Sequence, residues 1–248
     1  MDVVDFRAGG YRFIKGVFQY SAGVASLTGF QIVRVRLQRL LPLAEGLQFA
    51  EQTIKAIGRP PTAFCACELR SPAPFTDEGF KAFNKVYVGT LDRWGLLDGD
   101  INPVARSNVC PAIDPPSEPS LYAFSYTVPT DTAGASFVIA GGGEVPEGKD
   151  NYRDHIVQFR NISPEGLREK ARYVHEAMEA RMRALGFGWQ DTTATQLYTV
   201  HDIHPFIRDE IVARGAARSG LTWQFCRPPI VDVEYEMDCR RITAEVIR

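Results

Sequence analysis

Between residues 31 and 41 apolar and polar positions alternate. Val33, Val35 and Leu37 share one face, and Ile32, Arg34, Arg36 and Gln38 share the other, which is the period of a β-strand. The arginine-bearing face must meet solvent or carboxylates, because an unpaired buried guanidinium is costly. Past Pro42 the period changes. Leu47, Ala50, Ile54 and Ile57 recur at helical spacing, and Gly58-Arg59-Pro60-Pro61 stops the helix predicted over 44–57. A strand is expected over 63–69. A second helix follows 75–79, with Phe80, Phe83, Tyr87, Leu91 and Trp94 as an aromatic stripe. Residues 95–103 read as a loop. Strands are predicted over 106–113 and 121–128, around a rigid Pro-rich turn at 115–119.

The second half follows the same order. A buried-looking strand, 136–140, runs into Gly141-Gly142-Gly143. Ser163 caps a helix over 164–185, with Pro164 at its first position and Leu167, Ala171, Val174, Met178, Met182 and Leu185 on one face. A strand over 193–200, a helix over 205–216 and strands over 221–226 and 231–239 complete it. At an offset of 128 residues Gly58 falls on Gly186, Ala66 on Ala194 and Leu69 on Leu197. The chain therefore reads as a repeated module, 1–130 and 131–248, with the boundary in the Pro/Thr/Asp/Gly stretch 129–135. Each module is expected to be α+β, a mixed sheet with two helices packed on one face. The opposite face needs covering, which predicts a homo-oligomer.

Composition narrows the function. With 28 Lys and Arg against 30 Asp and Glu, and no basic run, nothing marks a nucleic-acid partner. The opening M-D-V-V-D-F-R lacks a signal-peptide layout, and no apolar stretch reaches membrane-spanning length. Five cysteines suit a reducing cytoplasm better than a disulfide framework. Cys65 and Cys67, two apart on a strand, are expected to share a face as buried thiols, and no metal or cofactor is expected. Gly141 to Gly143 permit either a close backbone approach or an anion pocket lined by N–H groups. His201 and His204 flank Asp202 in a segment that reads as a local turn, with a catalytic histidine as the alternative. Asn84 shares a helix face with Tyr87 and is expected to bond a neighbouring loop or subunit.

The closing strands carry the strongest candidates. Arg106 emerges from a loop onto a strand, where its guanidinium can clamp a carboxylate. Glu234 and Glu236 alternate with Val233, Tyr235 and Met237, which puts both carboxylates on one strand face. They then face solvent or need partners such as Arg218, Arg227 or a ligand.

Several segments in order resemble the reactive-intermediate deaminase (RidA/YjgF) family. They are Y-S-A-G-V at 20–24, F-K-A-F-N-K-V-Y at 80–87, V-A-R-S-N-V at 104–109, F-V-I-A-G at 137–141 and V-E-Y-E at 233–236. The resemblance implies two chorismate-mutase-like modules, trimeric assembly and cofactor-free hydrolysis of enamines or imines. It places the carboxylate-holding arginine on Arg106 and the water-handling glutamate on Glu234. Tyr20, Arg218, Arg227, Ala140 and Gly141 fall around the substrate. The first half lacks the family glutamate, reading Leu121 there, and the second lacks the arginine, reading Ser219 beside Arg218. Either the implied site is a composite of both modules, or one or both modules have lost the usual chemistry. With Arg240 the arginine count suits a dianion, and the expected substrate is an aminomuconate-like dicarboxylate from aromatic-ring degradation. A small 2-imino acid is the next choice. A non-catalytic carboxylate-binding or regulatory protein and an isomerase are the rival classes.

Overall fold

The computed structural model describes residues 1–131, 134–149 and 151–248. The expected boundary at 129–135 includes Thr132 and Ala133, which lie outside the described residues. The elements in chain order are β1 (Val3–Phe6), β2 (Tyr11–Ile14), β3 (Gly23–Ser26), β4 (Phe30–Pro42), α1 (Leu43–Ala56), β5 (Phe64–Arg70), α2 (Asp77–Arg93), β6 (Ala105–Pro111), β7 (Ser120–Pro129), β8 (Phe137–Gly143), α3 (Pro164–Leu185), β9 (Ala194–Tyr198), a π-helical turn Ile207–Val212, β10 (Thr222–Gln224), β11 (Cys226–Arg227), β12 (Glu236–Arg241) and β13 (Ala244–Ile247).

The strands form two mixed sheets, so the fold is α+β. One runs β1-β2-β3-β8-β12-β9-β10 and the other β13-β4-β7-β5-β6-β11. Four strands of each, β8-β12-β9-β10 and β4-β7-β5-β6, have the same order and polarity. β12 is antiparallel to β8 and β9, as β7 is to β4 and β5, and the next pair, β9–β10 or β5–β6, is parallel. The sheets do not follow the sequence halves, however. The first 26 residues join the sheet of the second half, and β11 and β13 join that of the first.

Helices cover the outer faces. Leu47, Ala50 and Ile54 of α1 and Phe80, Tyr87 and Leu91 of α2 pack on Val33, Val35, Leu69 and Phe124. The apolar stripe of α3 packs on Phe137, Ile139, Leu197 and Met237. The inner faces pack on each other through Phe13, Val24, Ile32, Cys65, Ala105, Val138 and Ala140. Each sheet therefore covers, within one chain, the face that the sequence left uncovered.

This inner layer also holds a buried polar network. Arg34 Nε and Nη2 donate to the two oxygens of Glu68 at 2.6 and 2.8 Å, and Arg240 Nη1 donates to the same carboxylate at 3.0 Å. Gln196 Nε2 reaches both Glu68 at 3.3 Å and Asp238 at 3.1 Å, and Ser107 and Tyr198 each donate to Asp238 at 2.7 Å. The arginine face of β4 thus meets paired carboxylates, as burial requires.

Four expectations need correction. The helix over 205–216 is only a π-helical turn, because Phe206 enters at φ −133° and Gly215 leaves at φ +90°. The strand over 221–226 divides into β10 and β11, which belong to different sheets. The strand over 231–239 begins only at Glu236, because Asp232 sits at φ +68°, a left-handed conformation that breaks an extended run. A register shift between Phe64 and Ala66 also separates the paired cysteines. Cys65 lies between the sheets, while Cys67 faces the helices with Sγ 3.4 Å from the Tyr87 hydroxyl.

Candidate active site

Thr76 caps α2 by accepting the Gly79 N–H, with Asp77 and Glu78 in the first turn where the helix dipole favours them. The helix then presents Phe80, Phe83, Asn84 and Tyr87 to β6. Arg106 on β6 is 3 % exposed and donates through Nη1 to Asn84 Oδ1 at 2.6 Å. The rings of Tyr87, Tyr20, Phe80 and Phe83 surround its guanidinium at 4.9 to 5.6 Å. Among the described residues no carboxylate comes within ion-pair distance of it. Cation–π contacts and one neutral acceptor leave most of its donors free.

Tyr20 reaches this place from the β2–β3 connection. Asn102 binds the carbonyls of Phe18 and Gln19 at 3.3 and 3.0 Å, and the Ser21 N–H binds Val104 O at 2.9 Å, which ties that connection to β6. On the other side, residue 75 pairs with the 229–231 segment: Phe75 N–H donates to Pro229 O at 2.7 Å and Val231 N–H to Phe75 O at 3.1 Å. This brings Pro229, Ile230 and Val233 to the rim.

Between these walls lies a cleft of about 540 Å³ including its open mouth, and Tyr20, Arg106, Asn108, Gly141, Glu147, Tyr152, Arg181 and Glu236 are among its lining residues. Asn108 accepts from Ser71 at 2.9 Å, while its buried Nδ2 has no partner among the described residues. Glu236 is 5 % exposed. Burial, with Asp238 and Glu144 nearby, pushes its carboxyl well above the ordinary carboxylate range, and Arg181 and Arg106 offset this only in part. Burial, reinforced by Glu147, likewise keeps the Tyr20 hydroxyl neutral.

The glycine run makes the close approach possible. A Cβ on Gly141 would come within 2.3 Å of Glu236 Oε1 and 3.2 Å of Ser107 Cα. One on Gly142 would meet Met178 Cε at 2.9 Å and Arg181 Nη1 at 3.0 Å. Neither glycine has a left-handed φ, so space and not conformation calls for them. Of the two readings open for this run, close backbone approach is the one the geometry favours.

Of the residues singled out in the sequence, Arg106, Tyr20 and Gly141 meet in the cleft. Ala140 lies just beneath it, its carbonyl accepting from Arg181 Nη1 at 3.0 Å. Glu234 lies outside the lining, in the irregular segment before β12, 2.7 Å from His201 Nε2 and 3.4 Å from Arg227 Nη1. The His201 bond holds its carboxyl below the usual range, burial working against it and Arg227 adding to it. Arg227 is exposed there, Arg218 is exposed in the turns before β10, and Arg240 belongs to the network between the sheets. His204 makes a surface turn with Asp202 at 2.6 Å. Asn84 bonds Arg106, and so does position the site. Arg181 was missed, though its sequence position, three after Met178 on the apolar stripe of α3, was a signal. Among the described residues no group of His, Cys, Asp and Glu could hold a metal ion, and no helix is long and apolar enough to cross a membrane.

Strand register relates the two sheets position by position. Glu68 pairs with Ser107 as Gln196 pairs with Thr222, and Arg70 with Ser120 as Tyr198 with Glu236. The places equivalent to Arg106 and Glu236 are thus taken by Leu221 and Ser120, which supply neither charge.

Over residues 3–246 the chain matches the family described as 2-aminomuconate deaminase CnbZ. The chain belongs to that family. It is 52 % identical over 248 residues to a 2-amino-5-chloromuconate deaminase of Comamonas testosteroni, covering 99 % of each chain. As a deaminase the protein is an enzyme acting on a carbon–nitrogen bond. Among solved structures, a chorismatase superposes with a TM-score of 0.51 at 12 % identity, over 97 % of this chain and 79 % of that one. This likeness concerns the fold alone. A cyanuric acid hydrolase gives a TM-score of 0.42 at 8 % identity, over 88 % and 69 % of the two chains.

Proposed function

We propose that the protein hydrolyses the enamine of 2-aminomuconate or a substituted analogue, releasing ammonia, with Arg106 as carboxylate anchor and Glu236 as acid and base. One observation carries the reading. A buried guanidinium without a carboxylate partner among the described residues and a carboxyl whose pKa burial raises line the same cleft. Arg106, helped by the unpaired Nδ2 of Asn108, would hold the carboxylate next to the carbon that bears nitrogen.

The protonated Glu236 gives its proton to the enamine carbon, leaving an iminium and a carboxylate. That carboxylate takes a proton from water as the oxygen adds to the iminium carbon, and passes it to nitrogen. It then removes the hydroxyl proton as the carbonyl forms and ammonia leaves. Glu236 ends protonated, and the sum is enamine plus water to ketone plus ammonia. The equal order and polarity of four strands in each sheet, with the RidA/YjgF resemblance, supports reading the chain as two modules of that type with one working site where they meet. The relative that acts on 2-amino-5-chloromuconate supports the substrate class. Five buried free thiols fit a reducing cytoplasm.

The test is ammonia release from freshly generated 2-aminomuconate, with 2-iminopropanoate alongside. Glu236→Gln should lower kcat by about 10²-fold or more, while Glu234→Gln keeps most of it. Ammonia at only the spontaneous rate, or a loss confined to Glu234→Gln, overturns the assignment.

A further inference from the structure

The cleft holds a second buried arginine with a different arrangement. Arg181 of α3 is 5 % exposed. Its Nη1 is anchored on the strand carbonyls of Ala140 at 3.0 Å and Gly141 at 3.5 Å, and its Nη2 donates to Glu147 Oε1 at 2.8 Å. Glu147 comes from the connection after β8 and itself lines the cleft, with its side chain a quarter exposed. One nitrogen of the guanidinium is therefore fixed by backbone, while the other is held by a carboxylate that reaches solvent.

Charge decides what this pair is for. With Glu236 protonated, the cleft-lining charges are Arg106 and Arg181 against Glu147, a balance that matches a monoanion. Withdrawal of Glu147 leaves both guanidinium groups, which match a dianion. We propose that Arg181 is the specificity residue for the second carboxylate of a dicarboxylate substrate, and that Glu147 occupies its place until substrate displaces it. This rests on the deaminase reading for the first carboxylate at Arg106. The exchange swaps one charge-assisted hydrogen bond for another on the same Nη2, while the bonds to Ala140 and Gly141 keep the side chain in position. A monocarboxylate has nothing to offer Arg181, so the internal pair stays closed and the net gain from the second arginine is lost. Glycine at 142 belongs to the same device, because a Cβ there would press on both Nη1 and Nη2 of Arg181.

Calorimetric titration of the full chain with trans,trans-muconate and with sorbate tests this, since the two differ only in one terminal carboxylate. Muconate should bind at least about tenfold more tightly than sorbate, the scale of one charge-assisted contact. In Arg181→Gln that ratio should collapse toward one. The ratio removes any damage common to both ligands. In Glu147→Gln muconate should bind more tightly still, with sorbate little changed, and this variant decides the matter if Arg181→Gln does not fold. Equal affinity for the two ligands in the wild type, an unchanged ratio in Arg181→Gln, or weaker muconate binding in Glu147→Gln overturns the proposal. If the ligands behave as described while 2-aminomuconate releases no ammonia, the deaminase reading fails and the dicarboxylate subsite stands.

Discussion

Gly141→Ala places one methyl group where the reacting carboxyl sits. The new Cβ would lie 2.3 Å from Glu236 Oε1, about 1.1 Å short of the 3.4 Å at which ordinary contact begins. Ser107 Cα, at 3.2 Å on the other side, is backbone of β6 and yields only a few tenths of an ångström. The carboxyl must therefore retreat by close to an ångström. Displacements of that size cost about 10²-fold in rate when they move a group that transfers protons in the transition state. Arg106 stands in its own ring of aromatic contacts and does not need to move. We expect kcat for ammonia release to fall by about 10²-fold with KM within about threefold of wild type. Gly143→Ala is the matched control. Its Cβ would press on Val233 Cγ1 at 2.7 Å and meet Glu236 Oε2 only at 4.0 Å, so it should lose much less rate. Steady-state kinetics on both variants, with thermal unfolding to establish that each is folded, provides the assay. A folded Gly141→Ala with near-wild-type kcat, or equal losses in the two variants, refutes the placement of Glu236.

Three further outcomes follow from the same geometry. Arg106→Met should lower kcat/KM by about 10²-fold or more yet leave the melting temperature unchanged or higher, because it removes a buried charge that has no carboxylate partner among the described residues; a marked drop in melting temperature contradicts this. The rate should fall as pH rises through the elevated pKa of Glu236, since the acid must be protonated, and Asp238→Asn should move that limb to lower pH by removing a neighbouring negative charge; a limb that does not move would place its origin elsewhere. Burial alone would push the Glu68 carboxyl up, but Arg240 and Arg34 outweigh it and hold the group far below the ordinary range. Its stabilisation is thus present above the unfolded carboxylate pKa and lost as pH falls. Glu68→Gln should cost about 3–5 kcal/mol near neutrality, or roughly 10 °C in melting temperature, with the gap to wild type closing in acid.

The long elements were legible because their signals are local. The stripe over 164–185 and its Ser163–Pro164 start needed only neighbouring residues, and the structure reproduces both ends. The alternation over 31–41 likewise located β4 and required carboxylates near Arg34. What escaped depends on partners far along the chain. Nothing within the first 26 residues says that β3 pairs with Phe137–Ile139, because a short strand is specified by the sheet it joins. Glu234 and Glu236 looked equivalent by a period of two. The left-handed Asp232 shows why they are not: strand geometry starts only at Glu236, so the two carboxyls part company. Arg106 was readable because an arginine in an apolar strand demands a partner. Arg181 carried the same demand on a helix, masked by the many charges of its polar face.

The contact between Glu68 and Gln196 joins residues 128 apart that hold equivalent places in the two sheets. In a symmetric pair of identical halves, whatever stands near the axis faces its own copy, so a glutamate there would oppose a glutamate. Two carboxylates at 3.3 Å would repel, and the pocket would have to bind a proton or a cation to remain closed. With two unlike halves on one polypeptide, the second position is free to be an amide. Its nitrogen donates where a carboxylate has nothing to give, and Arg34 and Arg240 can then both serve the Glu68 carboxylate. The centre of the molecule is thus not its own complement. The same inequality holds at the cleft, where Leu221 and Ser120 hold the places equivalent to Arg106 and Glu236.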